Sequence, residues 1–153
     1  MALDSSAPPE DGLTVLVVSP FEDNLLSLKT ALAHSNLTLC VAAGAAEAKL
    51  FLHRTVVPVI LCESELPDGS WKDLSAAASG LENPPLMVVT SRLADEYLWA
   101  EVLNLGGYDV LAQPFNAIEV VRVIGMACRR WRDKWKKSGG ETPCIQYLTA
   151  SSL

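Results

Sequence analysis

Val56-Val57-Pro58-Val59-Ile60-Leu61-Cys62-Glu63-Ser64-Glu65-Leu66-Pro67-Asp68-Gly69 carries an unbroken apolar run into a carboxylate and then into a Pro-Asp-Gly turn signal. An apolar stretch this short, without polar alternation, is the pattern of a strand buried on both faces, as in a parallel sheet covered by helices. Glu63 therefore stands where a central strand empties into its loop. In open α/β sheets the functional crevice lies at the carboxyl ends of the strands, so this acid is the first candidate for function.

Upstream, Leu13-Thr14-Val15-Leu16-Val17-Val18 reads as a first buried strand. Ser19-Pro20-Phe21-Glu22 has capping-box spacing, with proline where a first helical turn tolerates it, and predicts a helix to about His34 that buries Leu25, Leu28 and Leu32. Leu37–Ala42 is a second strand and Ala45–Arg54 a second helix. Downstream, Ser70–Ser79 is a third, short helix closed by Gly80, and Pro84-Pro85 lead into a fourth strand, Leu86–Thr90. Leu93–Leu105 is a fourth helix ended by Gly106-Gly107, and Tyr108–Ala112 is a fifth strand. Asn116-Ala117-Ile118-Glu119, a second capping box, opens a last helix that extends to Lys137, where Ser138-Gly139-Gly140 stop it.

Strand and helix thus alternate five times with short connections. Parallel neighbours require crossovers, so the expectation is one α/β domain, a doubly wound five-stranded parallel sheet with five helices. Residues 1–12 read as a loose leader, 13–130 as the domain, 131–137 as a basic extension of the last helix, and 138–153 as a polar tail with one weak apolar cluster at Ile145–Leu148. No second domain follows residue 137, so no DNA-binding output is expected. The apolar runs fall far short of the roughly 18 residues of a membrane helix, and no secretory signal opens the chain.

The 153 residues are 50% hydrophobic and 20% charged, which suits an ordinary globular core. Cys40, Cys62, Cys128 and Cys144 lack any Cys-x-x-Cys spacing and read as reduced thiols of a cytoplasmic protein. The net charge of −6 conceals a split: residues 1–128 hold 16 acidic against 6 basic side chains, and residues 129–137 hold six basic against one acidic. The body is acidic and one short stretch is basic.

In this order and spacing, four groups of residues resemble the receiver domain of bacterial two-component response regulators. They are Val17-Val18, then Glu63 with Leu66-Pro67-Asp68-Gly69, then Val88-Val89-Thr90-Ser91, and then Leu105 through Phe115. The resemblance covers residues 13 to about 130 and implies a flavodoxin-like fold with sheet order 2-1-3-4-5. It also implies a phosphoryl-accepting aspartate, held here by Glu63, and a magnesium-binding acid pair, held here by Ser19 and Pro20. The hydroxyl that contacts the phosphoryl group is matched by Thr90. The lysine before a cis-proline is replaced by Gln113 before Pro114, and the aromatic switch position holds Val110. Four of these five functional positions depart from the pattern, and only Thr90 is retained.

The departures have chemical consequences. Magnesium requires oxygen ligands, and phosphoryl transfer requires the ion to offset developing charge. Proline offers no side-chain oxygen, Ser19 is neutral, and the spacing of Glu22 and Asp23 aims them elsewhere, so no metal and no cofactor are expected. Glutamate moves its carboxylate outward by about 1.5 Å relative to aspartate, which spoils in-line geometry. Glu63 is then either a permanent imitation of the phosphorylated state or a polar loop residue bonded to Gln113 or Thr90. The expectation is a degenerate pseudo-receiver, a signal-transduction module that works by protein contact. A phosphoryl-accepting regulator with an atypical site is the alternative, and a scaffold or dimerisation domain is another. A histidine kinase, an output protein or a second copy would be the partner.

In the last helix, Val121, Ile124, Cys128, Trp131 and Trp135 are spaced 3, 4, 3, 4, with Val120, Val123 and Ala127 beside them. Past Arg130 the domain body is expected to run out. That leaves Trp131 and Trp135 among Arg129, Arg130, Arg132, Lys134, Lys136 and Lys137, as a solvated basic end whose tryptophans pack on the domain edge, a dimer or partner helix anchored by both tryptophans, or an anionic-surface contact. A single basic patch on an acidic body is a poor nucleic-acid footprint. The resemblance implies a dimer or output face on the fourth helix, fifth strand and fifth helix. Leu98, Val102 and Leu105 are assigned to the core side of the fourth helix, and Tyr97, Trp99 and Leu103 to its surface, Trp99 being the one expected to be exposed. An enzyme is not expected: no Gly-x-Gly-x-x-Gly or Gly-x-Ser-x-Gly follows a strand, and His34 and His53 have no partnering spacing.

Overall fold

A computed structural model describes residues 13–139, except the side chains of 135–139. The leader, the tail beyond Gly139 with Cys144, and the Trp135 side chain lie outside the described residues. Seven strands and five helices follow the chain as β1 (Thr14–Val18), α1 (Glu22–Ala31), β2 (Thr38–Ala42), α2 (Ala45–Arg54), β3 (Val59–Glu63), β4 (Glu65–Leu66), β5 (Gly69–Ser70), α3 (Trp71–Ser79), β6 (Leu86–Ser91), α4 (Glu96–Asn104), β7 (Asp109–Ala112) and α5 (Ala117–Gly139). Five strands form one parallel sheet in the order β2-β1-β3-β6-β7, the order expected, with β6 and β7 as its fourth and fifth members. β4 and β5 pair separately as a small antiparallel hairpin that carries the Pro67-Asp68 turn. Two-residue strands leave no hydrophobic period, so the sequence reads only their turn.

Because strand side chains alternate, each central strand feeds two cores. Leu16, Val18, Ile60, Cys62, Met87, Val89 and Val110 face α2, α3 and α4, where Trp71, Leu74 and Val102 are buried. Val15, Val17, Val59, Leu61, Val88 and Leu111 face the other way, onto Leu28 of α1, Leu32 just after it, and Val120, Val123, Ile124, Ala127 and Cys128 of α5. All five residues of β3 are buried, as its unbroken apolar sequence requires.

Several local expectations are corrected. The Ser19 capping box does not form, because the Ser19 amide still belongs to the sheet edge, donating to the Ala42 carbonyl at 3.0 Å; its hydroxyl accepts from Phe21 N at 3.1 Å. α1 therefore starts after Phe21, and it stops at Ala31 because the Ser35 amide and hydroxyl both fold back to the Leu32 carbonyl. α4 starts later than expected, capped by Asp95, whose Oδ1 accepts from Leu98 N at 3.0 Å. It ends at Asn104, which leaves Leu105 exposed on the turn instead of in the core.

In α5 the buried row is Val120, Val123, Ile124, Ala127, Cys128 and Trp131, so Val121 points outward, contrary to expectation. Trp131 continues that row one turn further and is only 6% exposed, as expected where the tryptophans pack on the domain edge and contrary to its assignment to a projecting interface. The helix also passes Lys137 and is described through Gly139.

A trans cap joins two of these elements. The α2 N-cap, Gly44, has no side chain, and Asp68 of the hairpin takes its place, accepting from Ala45 N at 2.7 Å and Ala46 N at 3.0 Å. A Cβ on Gly44 would stand 2.6 Å from Asp68 Oδ1, so glycine is what lets the carboxylate reach the helix.

The α4–β7 turn gives a direct test of packing against backbone freedom. A Cβ at Gly107 would meet Val102 Cγ1 at 2.3 Å and the Val102 carbonyl oxygen at 2.9 Å, whereas at Gly106, with φ +91°, it would meet nothing within 4 Å. In urea denaturation, Gly107→Ala is expected to cost about 2–3 kcal/mol through overpacking of a buried valine. Gly106→Ala is expected to cost about 1 kcal/mol, from strain alone. The reverse order would contradict this reading of the turn.

Candidate functional site

At its C-terminal end the sheet changes chemistry on one face only. Glu63 follows Val59 and Leu61, Thr90 follows Leu86 and Val88, and Gln113 follows Leu111, each two residues on and so on the side that faces α1 and α5. Register makes Glu63 and Thr90 direct neighbours on β3 and β6. Ser19 lies two residues after Val17 on β1. These four are the buried polar residues among the described ones, at 4% exposure for Ser19, 6% for Glu63, 3% for Thr90 and 8% for Gln113.

A buried carboxyl must be met by donors, and here they are amides. Gln113 Nε2 donates to Glu63 Oε2 in a short hydrogen bond, and also to Thr90 Oγ1 at 3.1 Å. Asn24 Nδ2, reaching down from α1, donates to the same Glu63 Oε2 at 2.8 Å and to Gln113 Oε1 at 3.2 Å. Asn24, Glu63 and Gln113 thus close a ring that ties α1 to the ends of β3 and β7. The Gln113-Pro114 peptide that carries the glutamine is cis.

Burial pushes the Glu63 carboxyl above the usual glutamate range, against the opposing pull of the Gln113, Thr90 and Asn24 hydrogen bonds and of the Arg92 charge at the mouth. Beside it, burial and then the Glu63 charge push the Cys62 thiol up to about 12, so it stays protonated and is no nucleophile. Its sulfur instead donates to the Glu63 carbonyl at 3.2 Å.

The remaining candidates are dispersed. The Ser19 hydroxyl is turned to Phe21 N and Pro20 has no donor atom to offer, so neither joins the ring. Glu22 and Asp23 are exposed. Val110 is buried in the core on the opposite face of the sheet from Glu63. Trp99 is 49% exposed on α4 beside the more exposed Tyr97.

Sequence reasoning missed Asn24 and Arg92. A signal for Asn24 was there: it sits four residues before Leu28 and eight before Leu32, where the buried stripe of α1 would call for an apolar side chain. A polar residue in that register has to face a polar group on the sheet.

The donor set does not fit magnesium. The carboxylate oxygen that would ligate the ion already receives two amide N–H groups, which present protons where a hard cation needs lone pairs. Among the described residues no group of three or more His, Cys, Asp or Glu is arranged to hold a metal, and no helix is long and apolar enough to cross a membrane.

No protein-family model matches the chain, and no curated protein matches it. Solved structures do. The signal receiver domain of a putative LuxO repressor protein from Vibrio parahaemolyticus superimposes with a TM-score of 0.75 at 18% identity, covering 80% of this chain and 95% of that one. The signal receiver domain of an HD domain-containing protein from Pseudomonas fluorescens Pf-5 gives 0.75 at 22% identity, covering 84% and 95%. The CheY-like receiver domain protein from Methanospirillum hungatei JF-1 gives 0.71 at 19%, covering 81% and 99%. At these identities the likeness establishes the fold, a five-stranded receiver-type sheet with five helices.

The two perturbed carboxyls act on stability with opposite sign. Glu63 is raised, so the folded state holds its proton more tightly, and stability falls as pH rises from the ordinary value of 4.5 through the raised one. Asp68 is lowered by the Ala46 and Ala45 amides, so its contribution is present above 3.8 and is lost as pH falls below it. Thermal melts from acid to neutral pH are expected to show Glu63→Gln gaining on the wild type as pH rises, and the deficit of Asp68→Asn shrinking at acid pH. Parallel curves for wild type and Glu63→Gln would contradict the assignment.

Proposed function

We propose that the chain is a receiver-like module of the two-component type that signals by protein contact and does not accept a phosphoryl group. The carrying observation is that Glu63 Oε2, at the phosphoacceptor position, is occupied by donors from both Asn24 and Gln113. A receiver acid must be free to attack phosphorus and must share a cation with it. This one is engaged by neutral amides, Gln113 stands where the family has a lysine, and among the described residues no group of acids is arranged to hold a cation. Of the two roles open to Glu63, structural replacement is favoured over permanent imitation of the phosphorylated state. Burial raises its pKa and so opposes the charged form, whereas a phosphoryl group carries about −1.5 to −2.

In this reading residues 13–130 are the receiver-like unit and α5 continues past it. The partner is a histidine kinase, an output protein or a second copy. Contact through α4, β7 and α5 is supported by the exposed Tyr97 and Trp99 on α4. Trp131, being buried, is not part of it.

Incubation with acetyl phosphate and magnesium, followed by rapid acid quench and intact-mass measurement, is expected to leave the protein unmodified under conditions that label a conventional receiver. A gain of one phosphoryl group mapped to Glu63 would sink the proposal and restore the reading of an atypical but working acceptor.

A further inference from the structure

The edge of the sheet opposite β7 is β2, and among the described residues its backbone is paired on one side only. Backbone groups alternate in direction along a strand. The Thr38 amide donates to the Leu13 carbonyl at 2.9 Å and the Ala42 carbonyl accepts from the Ser19 amide at 3.0 Å, so Thr38, Cys40 and Ala42 turn their groups to β1. Leu39 and Val41 turn theirs away from the sheet. The next outward amides are already answered within the chain, that of Leu37 by Ser35 Oγ at 3.4 Å and that of Ala43 by Glu47 Oε1 at 3.0 Å. The open part of the edge is therefore residues 39–41, centred on Cys40. Thr38-Leu39-Cys40-Val41-Ala42 contains none of the charges or prolines that keep an edge strand from pairing with another chain, and Val41 is 42% exposed.

We infer that two copies of the chain pair through β2, antiparallel about a twofold axis at Cys40, joining their five-stranded sheets into one continuous sheet. The open groups set this register. Pairing about Cys40 places Leu39 opposite the partner's Val41, and residues so opposed exchange both N–H and C=O, so every open group is used. An axis at Leu39 or at Val41 would set the second open residue against Leu37 or Ala43, whose amides are engaged. The helix above the edge supports the same axis. α2 packs over β1 and β2 and runs back along the strand. Cys40 to Ala42 rises about 7 Å and Ala45 to Leu50 returns about as far, which brings Leu50, 64% exposed, level with Cys40. Glu47 and Arg54 lie on either side of Leu50 along the helix, so the twofold sets the acid of each copy toward the base of the other. Across residues 24–62 Glu47 is the one acid besides Lys29, Lys49 and Arg54, so this flank is where two acidic bodies approach with least repulsion. An unrelated strand would gain the backbone bonds without these reciprocal pairs. The edge lies away from Glu63 and from the α4, β7 and α5 face, so its test bears on neither.

Sedimentation equilibrium of the full chain from micromolar to millimolar concentration is expected to show monomer passing to dimer. Over the same range hydrogen exchange at the Leu39 and Val41 amides is expected to slow, by at least about tenfold. Val41→Pro removes one open donor without touching the β1 ladder, and proline is tolerated on an edge strand where its missing N–H faces outward. That variant is expected to keep its circular dichroism spectrum and stay monomeric, and so is Val41→Lys, at the same exposed site. Glu47→Arg and Arg54→Glu are each expected to weaken the dimer, and the two together to restore it. A chain monomeric at every concentration, a dimer that survives both Val41 variants, or a dimer whose Leu39 and Val41 amides exchange as fast as the monomer's would each overturn the proposal. Slow exchange independent of concentration would do so too, because a segment of the same chain would then cover the edge.

Discussion

A carboxyl group taken out of water has to be answered by protons or by a cation. The end of the central sheet is built on the first solution. Glu63 is nearly inaccessible, and its Oε2 is held by the amides of Asn24 and Gln113, one from a helix and one from the loop after the last strand. Hydrogen bonds to a charged acceptor contribute about 1.5–3 kcal/mol each, while an unanswered buried carboxylate costs far more. The ring is therefore a structural necessity as soon as a carboxyl is buried at this position. The neutral Gln113 follows from the same constraint. Its amide supplies donors to Glu63 and Thr90 and an acceptor to Asn24, a combination no ammonium group could offer.

The sheet decides which residues meet there. Parallel strands in register place residues 63, 90 and 113 two positions beyond the last apolar side chain of their rows, so alternation alone brings them to one face. That much was legible, because a doubly buried strand reads as a short apolar run and its loop as a turn signal. Sheet order and helix count followed from the alternation and from the receiver-like motifs. Local capping was legible only where no ladder competed. Asn116, outside any strand, accepts from Glu119 N at 3.0 Å and caps α5 as the spacing predicts, whereas Ser19 is retained by the edge of β1 and caps nothing. The hairpin of β4 and β5 was too short to have a period, and the trans cap by Asp68 couples residues 23 apart in the chain.

Helix faces were less legible than strands. Two apolar rows compete on α5, beginning at Val120 and at Val121, and only the packing against α1 and the sheet selects the first. Once that row is chosen, Trp131 falls on it and is buried, and the arginines fall outside. The ring suffered a similar limit: the carboxylate was found from its strand, but its donor from α1 was hidden because helical spacing was scored for apolar residues only. The molecule that results keeps a receiver-type scaffold with an acidic body, a neutral-amide pocket at the sheet end and a cationic helix flank.

The most direct measurement is a carbon-detected NMR titration of the Glu63 side-chain carboxyl, run with and without millimolar magnesium. Its midpoint is expected above the ordinary glutamate value and at the same pH in both series, because burial and neutral donors govern it and no ion competes. A midpoint at or below the ordinary value, or one that drops when magnesium is added, would mean that the carboxylate stands ready for a cation and that the amide ring does not control it.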